Sequence, residues 1–465
     1  MKKNITRRDA LKTIGLTTLA TPAFMNFTSI ESDNVIEIKP DENNPKHKDF
    51  DKPLTCIIIG AGNRGWGYSL YASNYPEQIK VVAIAEPVKI RQEKFKAQHN
   101  LDDENIFDTW EHVFERAKFA DFVIISTWDR LHYAPAMKAL EMGYHVLLEK
   151  AIAQSWNQCE DIAAQSKKND RIVGICHVLR YAPYFIKMRE IIQNGEIGEV
   201  VSIQHLEPIG NTHFSHSFVR GNWRNEKEST PCLLSKSCHD LDIVYWLLGG
   251  KKCKQVSSFG DLNYFKEENA PKGSTKMCTG GCAVESTCSY SAKRIYVTKR
   301  EWGVGHVIDL QPWDAEKVMK AINEGPYGRC VFHCDNDVVD HQVVNMVFED
   351  DITVAFSMEA HTSYGGRGTR IMGTKGDIVG DSSNLTVTDF STRKSVAYRA
   401  SELEKDFSGG GHGGGDYRLV RDFLQAVYQE DRSILTSTIE DSMESHYIGF
   451  KAEESRNNNG KMLNI

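Results

Sequence analysis

The stretch Leu54-Thr55-Cys56-Ile57-Ile58-Ile59-Gly60-Ala61-Gly62-Asn63-Arg64-Gly65 decides the fold of this chain. A short, apolar, β-branched run leads directly into a Gly-x-Gly-x-x-Gly pattern, which predicts a strand, a tight turn and a helix. Gly60 permits the turn, Gly62 lets backbone N–H groups approach a pyrophosphate, and Gly65 lets the helix pack on the strand. The pattern is typical of a dinucleotide-binding Rossmann domain.

A second apolar strand, residues 81–85, ends at Glu86. At this place in a dinucleotide-binding unit, an acidic residue accepts hydrogen bonds from the adenosine ribose hydroxyls. Its carboxylate would repel a 2′-phosphate, so we predict NAD as the cofactor. NADP is left open because Lys89 and Arg91 follow closely. The alternative is that Glu86 only caps the next helix.

Two more apolar strands follow at residues 122–126 and 145–148, with a helical pattern at 133–142 between them. This alternation predicts a doubly wound parallel sheet, in which ligands bind beyond the carboxyl ends of the strands. The side chains expected to project toward that crevice are Ser126, Thr127, Trp128, Asp129, Glu149 and Lys150.

The chain resembles the Gfo/Idh/MocA oxidoreductases over nearly its whole length after residue 53. The resemblance rests on residues 60–65, on 127–132 with Ala136 and Ala139, on 145–150 and on 195–200. It implies an NAD(P)-dependent enzyme that transfers a hydride to or from a hydroxyl-bearing carbon of a sugar, sugar acid or polyol, and it implies a homo-oligomer. Taken with the glycine motif, it predicts these cofactor-binding residues: Gly60, Gly62, Asn63, Arg64, Gly65, Glu86, Thr127, Trp128, His132, Glu149, Lys150 and Arg180.

Lys150 is the first catalytic candidate. The resemblance places it between nicotinamide and substrate, where an ammonium group can hydrogen-bond the reacting hydroxyl and stabilise charge on its oxygen. The family's Glu-Lys-Pro sequence reads Glu149-Lys150-Ala151 here, so the proline of that turn is missing.

A second group of candidates lies in residues 235–250, where the apolar spacing predicts one helix that ends at two glycines. The family's Asp-x-x-x-His pair reads Ser235 and His239, so the proton-accepting histidine is matched and its aspartate is not. Lys236 is expected to share a helix face with His239 and to lower its pKa, or to bind a substrate hydroxyl. Asp242 is the alternative group for orienting the imidazole.

Substrate contacts are predicted from residue chemistry and from the resemblance. Trp223 and Arg224 offer a stacking face and a hydrogen-bonding fork for a polyhydroxylated ring, or pack between domains. His412 lies in a glycine-rich loop, residues 408–416, that either reaches into the cleft or serves as a flexible linker. The predicted substrate-binding residues are Tyr181, Trp223, Arg224, Lys236, Asp240 and His412.

After residue 175, β-like segments dominate, at residues 200–206, 255–259, 343–348, 353–359, 369–373 and 385–389. They predict an α+β domain with a large, mostly antiparallel sheet. At the other end of the chain, Arg7-Arg8 before a weakly apolar run is typical of a twin-arginine export signal. The predicted organisation is an export signal (1–30), a linker (31–53), a Rossmann domain (54–175) and a substrate-binding and oligomerisation domain (176–465).

Charge and composition exclude other classes of protein. The net charge of −7 is spread over interspersed residues, which argues against a nucleic-acid partner. No later apolar stretch approaches the roughly 20 residues of a membrane-spanning helix, so we expect a periplasmic or secreted protein without a stable membrane anchor.

Eleven cysteines include Cys278, Cys282 and Cys288 in one polar stretch, with Cys330 and Cys334 further on. Export to an oxidising compartment favours disulfides for them, and export in the folded state keeps a metal as the lesser alternative. We assign no metal ligand, because the spacing Cys-x3-Cys-x5-Cys is not a standard zinc pattern.

Two other functions remain open. A redox glycosidase of the same fold would oxidise a sugar transiently, eliminate its substituent and reduce the product again. A non-catalytic protein that only holds the cofactor is suggested by the missing aspartate at Ser235.

Overall fold

The computed structural model describes residues 47–302, 313–403 and 410–465. The predicted export signal and most of the predicted linker lie outside the described residues. Within these ranges, no helix has both the length and the apolar character needed to cross a membrane.

The predicted parallel sheet is confirmed. Six strands lie in the order β3-β2-β1-β4-β5-β6, and every neighbouring pair is parallel. The glycine-rich turn lies at the carboxyl end of the central strand β1, where strand order reverses, and this is where doubly wound sheets bind ligands. The strands are β1 (Leu54–Ile59), β2 (Ile79–Ala85), β3 (Ile106–Phe107), β4 (Phe122–Ile125), β5 (His145–Leu148) and β6 (Val173–Ile175).

Both faces of this sheet are buried, as the continuous apolar strands require. Along β1, Cys56 and Ile58 belong to one core, while Ile57 and Ile59 belong to the core on the opposite face. The helices that connect the strands are α1 (Asn63–Asn74), α2 (Lys89–His99), α3 (Trp110–Phe114), α4 (Tyr133–Glu141) and α5 (Trp156–Asn169).

The second sheet has nine strands and is mostly antiparallel, which confirms the predicted fold class. Only β7 and β10 pair in parallel. Exposure alternates along β10, so one face of the sheet is covered and the other is open. The strands, in chain order, are β7 (Val200–Pro208), β8 (Cys253–Asp261), β9 (His341–Phe348), β10 (Thr353–Glu359), β11 (Gly368–Gly373), β12 (Gly376–Gly380), β13 (Asn384–Asp389), β14 (Ser395–Arg399) and β15 (Leu463–Asn464).

The C-terminal part of the chain returns to the first sheet. Phe423 stacks edge-on against Phe122 of β4, with 5.2 Å between the ring centroids. The core beside the first sheet therefore includes residues from beyond position 175. The domain boundary at that residue stays a prediction. The remaining helices are α6 (Pro183–Gln193), α7 (Asn211–Phe214), α8 (Cys232–Ser235), α9 (Cys238–Leu247), α10 (Ala315–Glu324), α11 (Ala400–Leu403), α12 (Gly415–Gln429) and α13 (Ile439–Asn457).

A long connection between β8 and β9, residues 262–340, has a small core of its own. Its fully buried residues are few, and in the described part α10 is its one regular α-helix. The buried members of this core are Cys278, Ala292, Ile295, Tyr296, Val318 and Ile322.

Candidate active site

The glycine-rich turn has the shape of an anion cradle. Gly60 has φ +91°, and a Cβ on it would lie 2.7 Å from the Ser126 carbonyl oxygen. A Cβ on Gly65 would lie 2.1 Å from the Gly60 carbonyl oxygen, so the fold itself requires both glycines. A Cβ on Gly62 would meet nothing closer than Arg91 Nη1, at 3.9 Å. No neighbouring protein atom therefore requires a glycine at position 62. Close approach of a ligand to its backbone accounts for the missing side chain.

Gly62 is also the N-cap of α1, and no side chain caps this helix end. The first N–H groups of the helix thus point to the crevice at the sheet edge, where they suit a diphosphate. The residues present fit a dinucleotide at this place.

Glu86 lies buried at the end of β2 and supports the turn. Its Oε2 accepts a hydrogen bond from the Ala61 N–H at 2.8 Å, and its Oε1 accepts one from the Val88 N–H at 2.9 Å. The second bond is to the N-cap residue of α2. The carboxylate therefore holds the glycine-rich turn and the residue before α2 in place, and its contact with the ribose stays a prediction.

Arg64 is committed to two carboxylates. Its Nε binds Glu149 at 2.6 Å, and its two Nη atoms bind both oxygens of Asp416 at 3.0 Å. Tyr68 donates a further bond to Glu149 at 2.6 Å. Burial would raise the pKa of Glu149, but the Arg64 and Lys150 charges outweigh it and lower that pKa. The guanidinium thus joins the glycine-rich turn to the end of β5 and to the start of α12.

The segment after β4 forms another wall of the crevice. Trp128 is 44% exposed and Thr127 binds the Leu131 carbonyl oxygen at 3.1 Å. His132 is fully buried, with Nδ1 2.7 Å from the Ala151 carbonyl oxygen and Nε2 3.2 Å from that of Thr127. His132 therefore positions this segment from inside the protein, rather than presenting its ring to a ligand.

Lys150 follows β5 and lies beside the same crevice. Its ammonium group donates to the Ser235 carbonyl oxygen, and its backbone N–H donates to Glu149 Oε2 at 3.0 Å. An ammonium has three protons to donate, so two remain for other acceptors.

Lys150 is joined to the segment that leads to His239, because the Ser235 carbonyl that it binds lies four residues before this histidine. Burial and then the Lys150 charge lower the pKa of the His239 imidazole well below its usual range. Its Nδ1 is buried and has no hydrogen-bond partner among the described residues. The ring is therefore held neutral, the form that can accept a proton.

The single helix predicted over residues 235–250 was wrong, and with it the predicted effect of Lys236 on the His239 pKa; binding of a substrate hydroxyl by Lys236 stays a prediction. The helix breaks between α8 and α9, because Lys236 ends α8 and Ser237 precedes α9. Lys236 turns away to bind Glu207 at 2.9 Å, and it is not among the main causes of the lowered His239 pKa. Local apolar spacing could not reveal this break, since the pattern continues on both sides of it.

Asp240 belongs to a buried ionic network beside this break. It accepts hydrogen bonds from Arg367 Nε at 2.6 Å and from His205 Nε2 at 3.0 Å. Arg367 also pairs with Glu207 at 3.0 Å. Asp240 was predicted to bind substrate, but its side chain is fully buried and is used within this network.

Asp242 does not take the place of the missing aspartate. It binds Arg180 through two hydrogen bonds, of 2.7 and 2.6 Å, and lies 3.5 Å from His177 Nε2. Arg180, predicted to bind cofactor, is thereby buried in an internal ion pair. Tyr181, predicted to bind substrate, is buried and bonds to Ser437 at 3.0 Å.

Trp223 and Arg224 lie at the rim. Trp223 donates its indole N–H to Asp129 at 3.3 Å, and Arg224 binds both oxygens of Asp335, at 2.8 and 3.0 Å. Both side chains thus join neighbouring loops. The ion pair of Arg224 with Asp335 lies at the protein surface.

His412 reaches the site, in agreement with one of the two readings of the glycine-rich loop. Its ring centroid is 6.0 Å from that of His239, and its Nδ1 is 3.0 Å from Asp416 Oδ1. Asp416 in turn binds Arg64. The carboxylate expected at Ser235 is absent. Asp416, 181 residues further along the chain (416 − 235), instead provides a carboxylate that holds His412 near His239.

Sequence reasoning missed Asp416, Glu207 and two more histidines behind His239. His177 lies 5.9 Å from His239 and 5.4 Å from His446, measured between ring centroids. Burial, followed by the nearby His177, lowers the pKa of His446 to about 3. Lone histidines in apolar stretches gave no signal that could have linked them.

Comparisons with known proteins agree with this geometry. The model of an oxidoreductase family with an NAD-binding Rossmann fold matches residues 54–177, and the model of that family's C-terminal α/β domain matches residues 189–463. The provisionally named oxidoreductase YteT of Bacillus subtilis is 26% identical over 322 residues, which are 66% of this chain and 73% of that protein.

Two further relatives match shorter stretches. Inositol 2-dehydrogenase of Salmonella typhimurium is 25% identical over 196 residues, 42% of this chain and 54% of that enzyme. The 2,7-anhydro-N-acetylneuraminate hydratase of Escherichia coli is 32% identical over 133 residues, 29% of this chain and 35% of that enzyme.

Solved structures share the fold over both domains. An inositol dehydrogenase homolog from Azotobacter vinelandii, with NADH and myo-inositol, has a TM-score of 0.63 at 15% identity and covers 90% of this chain and 100% of its own. Levoglucosan dehydrogenase, with NADH and levoglucosan, has a TM-score of 0.64 at 16% identity and covers 89% and 100%.

Proposed function

Because the chain belongs to the Gfo/Idh/MocA oxidoreductase family, whose N-terminal domain binds NAD, we propose that it oxidises or reduces a hydroxyl-bearing carbon of a sugar, sugar acid or polyol. The observation that carries this proposal is that Lys150 binds the Ser235 carbonyl, four residues before His239, and is joined through Glu149 to Arg64 of the glycine-rich turn. A bound NAD supplies the hydride acceptor or donor. The chain's own residues then have to handle the hydroxyl oxygen and its proton.

Lys150 polarises that oxygen. One of its protons is used on the Ser235 carbonyl, which fixes the direction of the ammonium group and leaves two protons for the substrate. A fixed cation beside the reacting oxygen stabilises charge that develops there.

His239 accepts the hydroxyl proton, because burial keeps it neutral and Lys150 opposes its protonation at rest. His412, whose Nδ1 is held by Asp416, is another of the groups that oppose protonation of His239. The imidazole therefore gives up the proton it has accepted readily, which suits a group that has to return to its neutral form in each turnover.

Relatives support a cyclic polyol or anhydrosugar as substrate. Their names and complexes include inositol and levoglucosan, which are rigid rings with several hydroxyl groups. Glu86 supports NAD over NADP, because a buried carboxylate at the end of β2 would repel a 2′-phosphate.

A reaction without net redox change is the second candidate. The Escherichia coli relative is named as a hydratase, so the family is not limited to net dehydrogenation. Transient oxidation, elimination and re-reduction would use Lys150 and His239 in the same positions. Product analysis separates the two, since a dehydrogenase yields a keto product with equivalent NADH and a redox glycosidase does not.

The test combines cofactor binding with product analysis. Protein purified from cytoplasm is examined by native mass spectrometry for bound NAD, and then incubated with NAD and a panel that includes myo-inositol, levoglucosan and their glycosides. We expect Lys150→Met to retain NAD binding and to lose about 10²- to 10⁴-fold in turnover. The surface variant Lys138→Met, whose lysine binds Glu141 at 2.9 Å, is the matched control.

Either of two results would remove the proposal. If the protein bound neither NAD nor NADP, the cofactor-binding role of the glycine-rich turn would be wrong. A Lys150→Met variant that turns over the panel as fast as Lys138→Met would show that the chemistry lies elsewhere.

Export by the twin-arginine route to the periplasm is part of the same proposal. It is supported by Arg7-Arg8 and by the advantage of folding around a cofactor before transport. Replacing both arginines by lysine should retain the protein in the cytoplasm, which fractionation would detect. Continued export of that variant would contradict the route.

Self-association through the open face of the second sheet completes the proposal. Exposed apolar side chains on that sheet include Val201, Phe259, Val343 and Val379, which supports a partner there. Light scattering after size exclusion should give a dimer or larger, and a monomer at micromolar concentration would contradict it.

A further inference from the structure

Four cysteine side chains line one narrow cavity in the connection between β8 and β9. The cavity has a volume of about 10 Å³, close to the space that one water molecule needs. Cys278, Cys282 and Cys288 come from one stretch of chain, and Cys330 comes from another. The active site described above uses none of them.

Backbone pairing fixes the two stretches against each other. Met277 and Arg329 form an antiparallel bridge, flanked by hydrogen bonds from the Cys278 N–H to Gly328 at 2.8 Å and from the Cys330 N–H to Lys276 at 2.9 Å. The convergence of the cysteines is therefore built into the chain path.

A buried cation lies against this cluster. Arg220 is fully buried, and its Nη2 is 3.7 Å from Cys278 Sγ. Its other hydrogen bonds go to the carbonyl oxygens of Arg329 and Tyr290, at 2.7 and 2.6 Å. In the described ranges the guanidinium has no carboxylate partner. A buried charge without a counter-charge is costly, so an anionic group is expected beside it.

The local core of this connection is small. Among the described residues it has six buried members, while others, such as Phe265, Val331 and Phe332, pack into the core of the second sheet. Small units that bury little apolar surface are usually held by disulfides or by a metal. All eleven cysteines are unbridged in the structure, and a disulfide is neutral, so disulfides would leave Arg220 uncompensated.

We propose that Cys278, Cys282, Cys288 and Cys330 bind one structural Zn²⁺ ion as four thiolates. Cys278 and Cys282 have the Cys-x2–4-Cys spacing of structural zinc sites. Binding releases four thiol protons, and the resulting site has a net charge of −2, which Arg220 partly offsets.

The thiol groups in the described ranges do not already converge as a ready-made metal site. Binding therefore requires cysteine side chains to turn about their Cα–Cβ bonds into other staggered rotamers. With four protein ligands the site would be closed to substrate, so its role is to stabilise the connection. This inference does not depend on the proposed reaction.

The test is metal content. The full chain, purified under reducing conditions without chelator, is analysed by native mass spectrometry and elemental analysis, with one zinc expected per chain. The double variant Cys278→Ser/Cys330→Ser should lose it. Cys334→Ser is the matched control, because Cys334 lies nearby, bonds to the Cys330 carbonyl at 3.3 Å and does not line the cavity. It should keep the zinc.

A second measurement needs no variant. Wild-type protein stripped with chelator should take up one Co²⁺ and show the visible and near-ultraviolet bands of tetrahedral cobalt thiolate, and should lose thermal stability when stripped. The proposal is overturned by a protein that takes up neither Zn²⁺ nor Co²⁺, by masses that reveal disulfides among these cysteines, or by equal zinc loss in Cys334→Ser.

Discussion

Replacing Gly62 by alanine should separate cofactor binding from folding. The new Cβ would meet no protein atom closer than 3.9 Å, and Gly62 has φ −74°, which alanine adopts freely. Stability without cofactor should therefore change by less than about 1 kcal/mol. A methyl group where the diphosphate approaches should cost about 2 kcal/mol, which weakens NAD binding roughly 30-fold.

The assay is thermal and chemical unfolding with and without NAD. At a concentration 100 times its dissociation constant, NAD stabilises the wild type by about 2.7 kcal/mol. With a 30-fold higher dissociation constant, the same concentration stabilises Gly62→Ala by only about 0.9 kcal/mol. Gly67→Ala on the same helix is the control, since its Cβ meets nothing within 4 Å and should leave NAD binding unchanged. Equal stabilisation of the wild type and Gly62→Ala by NAD would refute the reasoning.

Three other substitutions test the turn, the cofactor preference and the histidine cluster. Gly65→Ala should lower the free energy of unfolding by about 1–3 kcal/mol even without NAD, because its Cβ would lie 2.1 Å from the Gly60 carbonyl oxygen; unchanged urea unfolding would contradict this. Glu86→Gln keeps an acceptor oxygen and removes the negative charge. The dissociation constant of NADP divided by that of NAD should therefore fall roughly tenfold, about 1.4 kcal/mol, in fluorescence titrations. An unchanged ratio would show that this charge does not set the cofactor preference. The pKa of His446 is lowered to about 3 by burial and then by a neighbouring histidine. The unfolded state therefore binds the extra proton first, and stability is lost as pH falls below the unfolded pKa of about 6.5. His446→Gln should reduce the slope of the unfolding free energy against pH, between pH 6 and 4, by about 1.4 kcal/mol per pH unit. The control His112→Gln, at an exposed position, should leave this slope unchanged. Equal slopes for wild type and His446→Gln would contradict the prediction.

Much of the fold could be predicted because its strands carry strong local patterns. The continuous apolar run of β1 and the alternation in β10 each identify a strand and the burial of its faces. The strands β12 and β14 were missed. β12 is only five residues long and has a glycine at each end, and β14 exposes alternate residues with no fully buried one among them. Their pairing with β13 depends on tertiary context, which one sequence does not contain.

The candidate site could be inferred only where a local motif marks a residue, and the catalytic roles assigned there stay predictions. Lys150 and His239 follow local motifs, so their neighbourhood could be inferred from the resemblance. Contacts such as Arg64 with Asp416 join residues 352 positions apart, and no spacing rule reaches that far. The error at Lys236 has the same origin, since its partner Glu207 lies on another element.

The double pairing of Arg64 has a consequence for how this enzyme can change. One guanidinium anchors the helix that receives the cofactor, the carboxylate before Lys150 and the carboxylate that holds His412. A substitution at Arg64 would alter nucleotide affinity, the direction of the lysine and the basicity of the imidazole together. Mutations that adapt the cofactor turn to another nucleotide must therefore spare this position. Variation is expected instead at Glu86, whose bonds reach the turn and the residue before α2 but neither Lys150 nor His412.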